Sequence, residues 1–232
     1  MNERKGIPFW LQIIVILLLG VAASLIVQAV YSGTDANLPQ YTVTFAYQDG
    51  TVIETKEVTE GKGVYPPEYT GSSIFRGWSG RFNQVMADVE VHPILHSISE
   101  DNFFYFHSVY VEEGKKFALD VHLGGRVSIS SGELTVFYDP EVLEYLEADP
   151  MDCCEAELVG EGELKLTFSS QEPIREEKLL AKLHFRALEK NAYSTEVQLQ
   201  AKNMKIVTAE GERPANCATI NNKVYFLQEV EP

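Results

Sequence analysis

From residue 41 onward the chain alternates. Tyr41, Val43, Phe45 and Tyr47 share one parity, with Thr42, Thr44 and Ala46 on the other. A period of two sends successive side chains to opposite faces of an extended strand. The same period returns at Phe117/Leu119/Val121/Leu123, Leu134/Val136/Tyr138, Leu164/Leu166/Phe168, Ala181/Leu183/Phe185/Ala187 and Val197/Leu199/Ala201, and a closing strand is expected at 223–226. Gly124-Gly125 and Asp139-Pro140 punctuate these runs, and Pro140 ends its strand because proline has no amide hydrogen for a ladder. A chain patterned in this way is mainly β. About eight strands separated by turn signals predict a two-sheet sandwich over residues 101–229.

A smaller β module is expected before it, over 41–97. The first strand leads into Asp49-Gly50, a hairpin signal, and residues 52–58 supply the return strand. Gly61, Gly63 and Pro66-Pro67 end that hairpin. Phe75-Arg-Gly-Trp78, Phe82 and a last strand over 89–94 complete the module. So small a core depends on each large apolar group, which makes Trp78 a core residue. Residues 32–40, polar and carrying Gly33 and Pro39, read as a linker.

Ahead of the linker, residues 7–30 form an apolar run whose strongly polar members are Gln12 and Gln28. A hydrocarbon layer about 30 Å thick takes roughly 20 helical residues, so this run is long enough to span it. Arg4 and Lys5 flank one end, and the first charge beyond the other is Asp35. That asymmetry keeps the N-terminal tip (within 1–31) in the cytoplasm and exports the rest, giving a single-pass protein of the cell membrane. The alternative is a signal peptide cleaved after Ala29, which would release a secreted protein.

The formal net charge is −15, of which Arg4, Lys5 and Glu3 give +1 and the residues beyond the apolar run −16. So acidic a body repels phosphate backbones, and no nucleic-acid role is expected. Cys153, Cys154 and Cys217 make an odd count, leaving open one bridge from Cys217 to either neighbour. The five histidines, His92, His96, His107, His122 and His184, show no metal-ligand spacing, and no nucleophile elbow or phosphate-binding glycine loop occurs. Neither catalysis nor a cofactor is expected.

Two resemblances refine this reading. Over 41–97, the order strand, Asp-Gly, strand, Phe-x-Gly-Trp, Phe, strand resembles the Listeria–Bacteroides repeat, a β-grasp-like spacer of the internalin B-repeat type. Over 103–228, Val111-Glu-Glu-Gly114, then Gly132-Glu-Leu-Thr-Val-Phe-Tyr-Asp-Pro140-Glu-Val-Leu-Glu-Tyr145, then Leu180-Ala-Lys-Leu-His-Phe185 resemble a cohesin domain. The cohesin resemblance implies a jelly-roll sandwich that grips a dockerin on another protein through one flat sheet face. On this sequence that face would hold Ser131, Glu133 and Thr135, with Lys165, Thr167 and Ser169 on a neighbouring strand and Glu196, Gln198 and Gln200 on another. A membrane-anchored cohesin implies the display of a dockerin-bearing enzyme or scaffold at a bacterial surface. Direct binding of a polysaccharide, or a structural envelope role without a dockerin, are the alternatives. Carbohydrate binding needs a row of exposed aromatic rings, and the nine outward positions contain none.

Retention and cleavage of the apolar run differ in one observable. Intact-mass measurement of the mature protein is expected to find residues 7–30 still attached. A mature chain beginning at Val30 would show instead that the protein is released.

Overall fold

The computed structural model describes residues 38–71, 73–96, 102–125, 129–174, 176–188, 192–227 and 230–231. The apolar run 7–30 lies outside them. Among the described residues no helix is long and apolar enough to cross a membrane.

The hairpin expected at Asp49-Gly50 joins β1 (Gln40–Ala46) to β2 (Val52–Thr59). Gly50 adopts φ 87°, which costs a residue without Cβ nothing, and its amide donates to the Tyr47 carbonyl at 2.9 Å. The Asp49 carboxylate accepts from the Thr51 amide at 2.9 Å. The strand expected over 89–94 is in fact two, β5 (Val89–Val91) and β6 (Pro93–His96), separated at His92. β5 runs parallel to β1, with Phe45 opposite Val91, whereas β6 turns away to pair antiparallel with β4 (Ile74–Trp78). Pro93 has no amide hydrogen with which to extend the first ladder. Phe45, Phe75, Trp78 and Phe82 pack edge to face around this corner. Two-residue β3 (Gly63–Val64) lies between β2 and β4.

The remaining strands, apart from β19, form two sheets. In chain order they are β7 (Phe103–Tyr105), β8 (Val109–Glu112), β9 (Lys116–Gly124), β10 (Ile129–Phe137), β11 (Leu143–Pro150), β12 (Cys154–Gly160), β13 (Glu163–Ile174), β14 (Lys178–Ala187), β15 (Ser194–Thr208), β16 (Gly211–Pro214), β17 (Ala218–Thr219), β18 (Asn222–Leu227) and β19 (Val230–Glu231). One sheet is ordered β12-β13-β10-β15-β18-β8, with β16 joined to the far end of β15; the other is β11-β14-β9-β7-β17. Between them lie the residues whose alternation marked them as inward. Leu119, Leu134, Val136, Leu164, Leu166, Leu183, Phe185 and Val197 are each fully buried. This is the expected two-sheet sandwich.

β11 and β12 escape the periodicity because each is an edge strand. Their sequences, Leu-Glu-Tyr-Leu-Glu-Ala-Asp-Pro and Cys-Glu-Ala-Glu-Leu-Val-Gly, do not alternate cleanly, since an edge shields neither face fully.

Residues 41–96 do not stand apart from the sandwich. All described residues from Tyr41 on form one compact unit. The Trp78 amide donates to Tyr110 Oη at 2.7 Å, Ser108 Oγ to the Arg76 carbonyl at 2.5 Å, and Asn83 Nδ2 to the Phe226 carbonyl at 3.3 Å. Arg76 reaches Asn222 Oδ1 at 3.3 Å and the Asn221 carbonyl at 3.0 Å. The Tyr110 ring stacks on Tyr225 with centroids 4.8 Å apart and 11° between planes. Leu227 completes the aromatic core of the small module, and β19 pairs with β3. Gly77 makes this approach feasible: it holds φ 121°, and a Cβ there would lie 2.8 Å from Tyr225 Oη.

Two expectations follow from that joint. Gly77→Ala is expected to destabilise the fold by about 1–3 kcal/mol, since both the backbone region and the space exclude a Cβ. Urea unfolding of a Trp10→Phe background, followed by Trp78 fluorescence and by far-ultraviolet dichroism, is expected to give coincident transitions that shift together in the variant. Separate transitions would show that the two parts fold independently.

Candidate functional site

The register brings the nine sequence-predicted residues onto one face. In the pairing of β10 with β13, Ser131 lies opposite Ser169, Glu133 opposite Thr167 and Thr135 opposite Lys165. On the other side of β10, β15 places Gln200 opposite Thr135 and Gln198 opposite Phe137. Glu196 follows on the same parity, opposite Lys223 of β18. β12 extends the face outward, with Glu155 opposite Thr167 and Glu157 opposite Lys165.

The nine positions are not equally open. Thr167, Ser169, Glu196, Gln198 and Gln200 are exposed, Ser131, Glu133 and Lys165 half-buried, and Thr135 only 7% exposed. Thr135 lies on the central strand between Lys165 and Gln200, whose longer side chains flank it.

One ion pair crosses the centre of this face. Glu133 Oε2 lies 3.1 Å from Lys165 Nζ, on the diagonal between β10 and β13. The Lys165 ammonium, and after it the Asn203 side chain, hydrogen-bond the Glu133 carboxylate and hold it below the usual carboxylate range. Asn203 reaches it from an irregularity in β15: its φ is 54°, a left-handed conformation that asparagine tolerates better than most residues. There the register against β10 shifts between Ser131 and Glu133. Below it, on the inward side, Met204 packs over Gly132, where a Cβ would meet the sulfur at 2.2 Å. Lys202 follows Gln200 on the outward parity, opposite Glu133, whereas Asn203 joins the face through a bulge, which alternation cannot anticipate. The signal available in the sequence was Met204, an apolar residue off the parity of Val197 and Leu199.

The outer face of the second sheet is built differently. Lys182 pairs with Asp120 at 3.1 Å, His184 with Asp149 at 2.9 Å and Arg186 with Glu144 at 2.8 Å. Three of its side chains thus pair with carboxylates across strands. By contrast, the side chains of Thr167, Ser169, Gln198 and Gln200 have no hydrogen-bond partner among the described residues. The first face carries polar groups that a second molecule could bond; on the second, three such groups are already engaged across strands.

Other reactive groups are dispersed. Among the described residues no group of three His, Cys, Asp or Glu side chains is placed to hold a metal ion. All three cysteines are free thiols, and burial pushes Cys154 up to about 12 and Cys217 up to about 11, which suppresses the reactive thiolate. His122 stacks on Tyr105 at 5.1 Å, and Glu177 Oε1 lies 3.4 Å from its Nδ1 but off the hydrogen-bonding direction. Burial lowers the His122 pKa, and neighbouring His107 and Lys182 act the same way, against Glu177 and Asp120.

A search against protein-family models finds no match, and no curated protein matches the chain. Solved structures do resemble it. The seventh type I cohesin of ScaB from Pseudobacteroides cellulosolvens superposes with a TM-score of 0.49 at 12% identity, covering 54% of this chain and 91% of that one. The sixth cohesin of scaffoldin B from Acetivibrio cellulolyticus, solved with a Cel5 dockerin mutant, gives 0.47 at 21% identity, covering 54% and 99%. A non-cellulosomal cohesin from the archaeon Archaeoglobus fulgidus gives 0.47 at 18%, covering 56% and 93%.

The histidine predicts a pH dependence. A lowered pKa means that the fold favours neutral imidazole, so the unfolded chain binds the extra proton first. The stability from His122 is fully present above its ordinary value of about 6.5 and is lost as pH falls from there toward the folded value. Denaturation midpoints at pH 7.5 and 5.5 are expected to differ less in His122→Gln than in the natural protein.

Proposed function

We propose that this protein is a non-catalytic receptor whose β15-β10-β13-β12 face docks a dockerin-bearing protein, and that residues 7–30 tether it to the cell membrane with the sandwich outside. Residues 41–97 then serve as a repeat-type module that stiffens the joint to the sandwich. One observation carries the docking reading. Nine polar residues named from the cohesin-like Tyr-Asp-Pro-x-Val-Leu-Glu segment and its neighbouring strands share one face, and the side chains of four of them have no hydrogen-bond partner among the described residues. A face of hydroxyls, amides and one central ion pair suits a protein surface, because each exposed group can exchange its hydrogen bond to water for one to the partner. A stable complex needs about 800 Å² from each partner, which four adjacent strands can offer.

The chemistry suits a protein partner better than a glycan. Phe137, half-buried, is the aromatic residue among these strand positions, and sugar rings are commonly held on exposed aromatic faces.

The test is a pull-down of the full chain against the dockerin modules encoded beside it in its genome. At least one is expected to bind, and Thr167→Arg and Gln200→Arg are each expected to weaken it about tenfold or more without moving the unfolding midpoint. A folded protein that retains none of the modules refutes the receptor reading.

A further inference from the structure

The margin where the two sheets end together has a feature that the docking face does not use. β12 closes the first sheet and β11 the second, so each offers one unpaired backbone edge. Along β12 the inward positions pass from Cys154, 6% exposed, through half-buried Ala156 to Leu158, 52% exposed. The apolar layer is therefore open at this end. A groove of about 620 Å³ enters it, walled by Tyr138, Leu143, Tyr145, Leu158 and Leu188. Val159, 46% exposed, stands beside it where the register of β12 shifts.

The charges around the opening have one sign. Glu144 and Glu161 line it, and Glu157 and Glu163 lie on the adjoining strand ends. Glu144 already holds Arg186; Glu161 has no cation paired with it among the described residues. This arrangement chooses among occupants. A second copy of the chain, adding its own β12 antiparallel across the edge, would set Glu155 and Glu157 against the same residues of its twin. Edge carboxylates of this kind oppose self-pairing. An extended segment with basic residues would meet them favourably, and its apolar side chains would enter the groove.

We infer that the β11/β12 margin is a second docking site, for an extended polypeptide segment in which basic and large aliphatic residues alternate. The strand edge supplies main-chain hydrogen bonds, the groove takes the aliphatic side chains, and Glu157 and Glu161 take the cations. The groove itself lies at the open end of the apolar layer and not on the outward sheet face, while β12 and Glu157 border both.

The probe is a fluorescein-labelled hexapeptide of alternating lysine and leucine, titrated by anisotropy against the full chain. Saturable binding is expected, weakened about tenfold or more by Leu158→Asp and by Glu161→Lys and unchanged by Gln200→Lys. The matching glutamate–leucine peptide is expected not to bind. Absence of saturable binding, equal binding of the acidic peptide, or unaltered binding by Glu161→Lys overturns the site. Glu161 is exposed, so its variant decides the matter even if Leu158→Asp unfolds. A concentration-dependent dimer in sedimentation velocity that Glu161→Lys strengthens would identify a second copy as the occupant and overturn it as well.

Discussion

Tyr110 holds the molecule together. Its ring stacks on Tyr225 at the margin of the larger sheet, touches Phe82 of the small aromatic core, and its hydroxyl accepts the Trp78 amide. Burial pushes its pKa upward, so the phenol stays neutral over any ordinary pH. A single side chain thus satisfies a backbone donor in one part while packing both cores. Gly77 permits the approach, and Arg76, Asn83 and Tyr193 secure its surroundings, the last through Gly80 at 2.8 Å.

This joint bears on the proposed docking face. Tyr225 has the same strand parity as Lys223, which lies opposite Glu196. Residues 76–81 therefore cover the β18 end of the face that stays open farther along, over β15, β10 and β13. Arg81 lies over the Tyr193 ring at 5.2 Å, close to where the open region begins. A spacer on a flexible link would leave that boundary undefined. Here it is set by stacked rings and hydrogen bonds, which would lower the entropy lost if the proposed partner docked against it.

The larger sheet's outer face and the smaller one's differ in how their polar groups are employed. Cross-strand pairing of opposite charges, as between Lys182 and Asp120, gives modest stability and leaves little for a partner to gain. Ser169, Thr167, Gln198 and Gln200, without side-chain partners among the described residues, contribute little to stability, yet they retain the capacity to bond. Polarity by itself could not separate these two faces in the sequence. Their difference lies in which charges come opposite one another, and register decides that.

Alternation of apolar residues was enough to determine that this is a β protein, that Leu134, Val136, Leu164, Leu166, Leu183 and Phe185 point inward, and that the nine polar residues of β10, β13 and β15 point outward. A period of two can be read from the chain because each central strand has one buried face. Edge strands β11 and β12 lack that contrast, the break at His92 answers to two competing sheets, and the Asn203 bulge adds a residue off parity. Pro93 and the off-parity Met204 are the local traces of the last two, and neither tells which strands will pair. Only the tertiary structure decided that residues 41–96 share one body with the sandwich, because that depends on contacts such as Trp78 to Tyr110 and Asn83 to Phe226, between residues far apart in the chain.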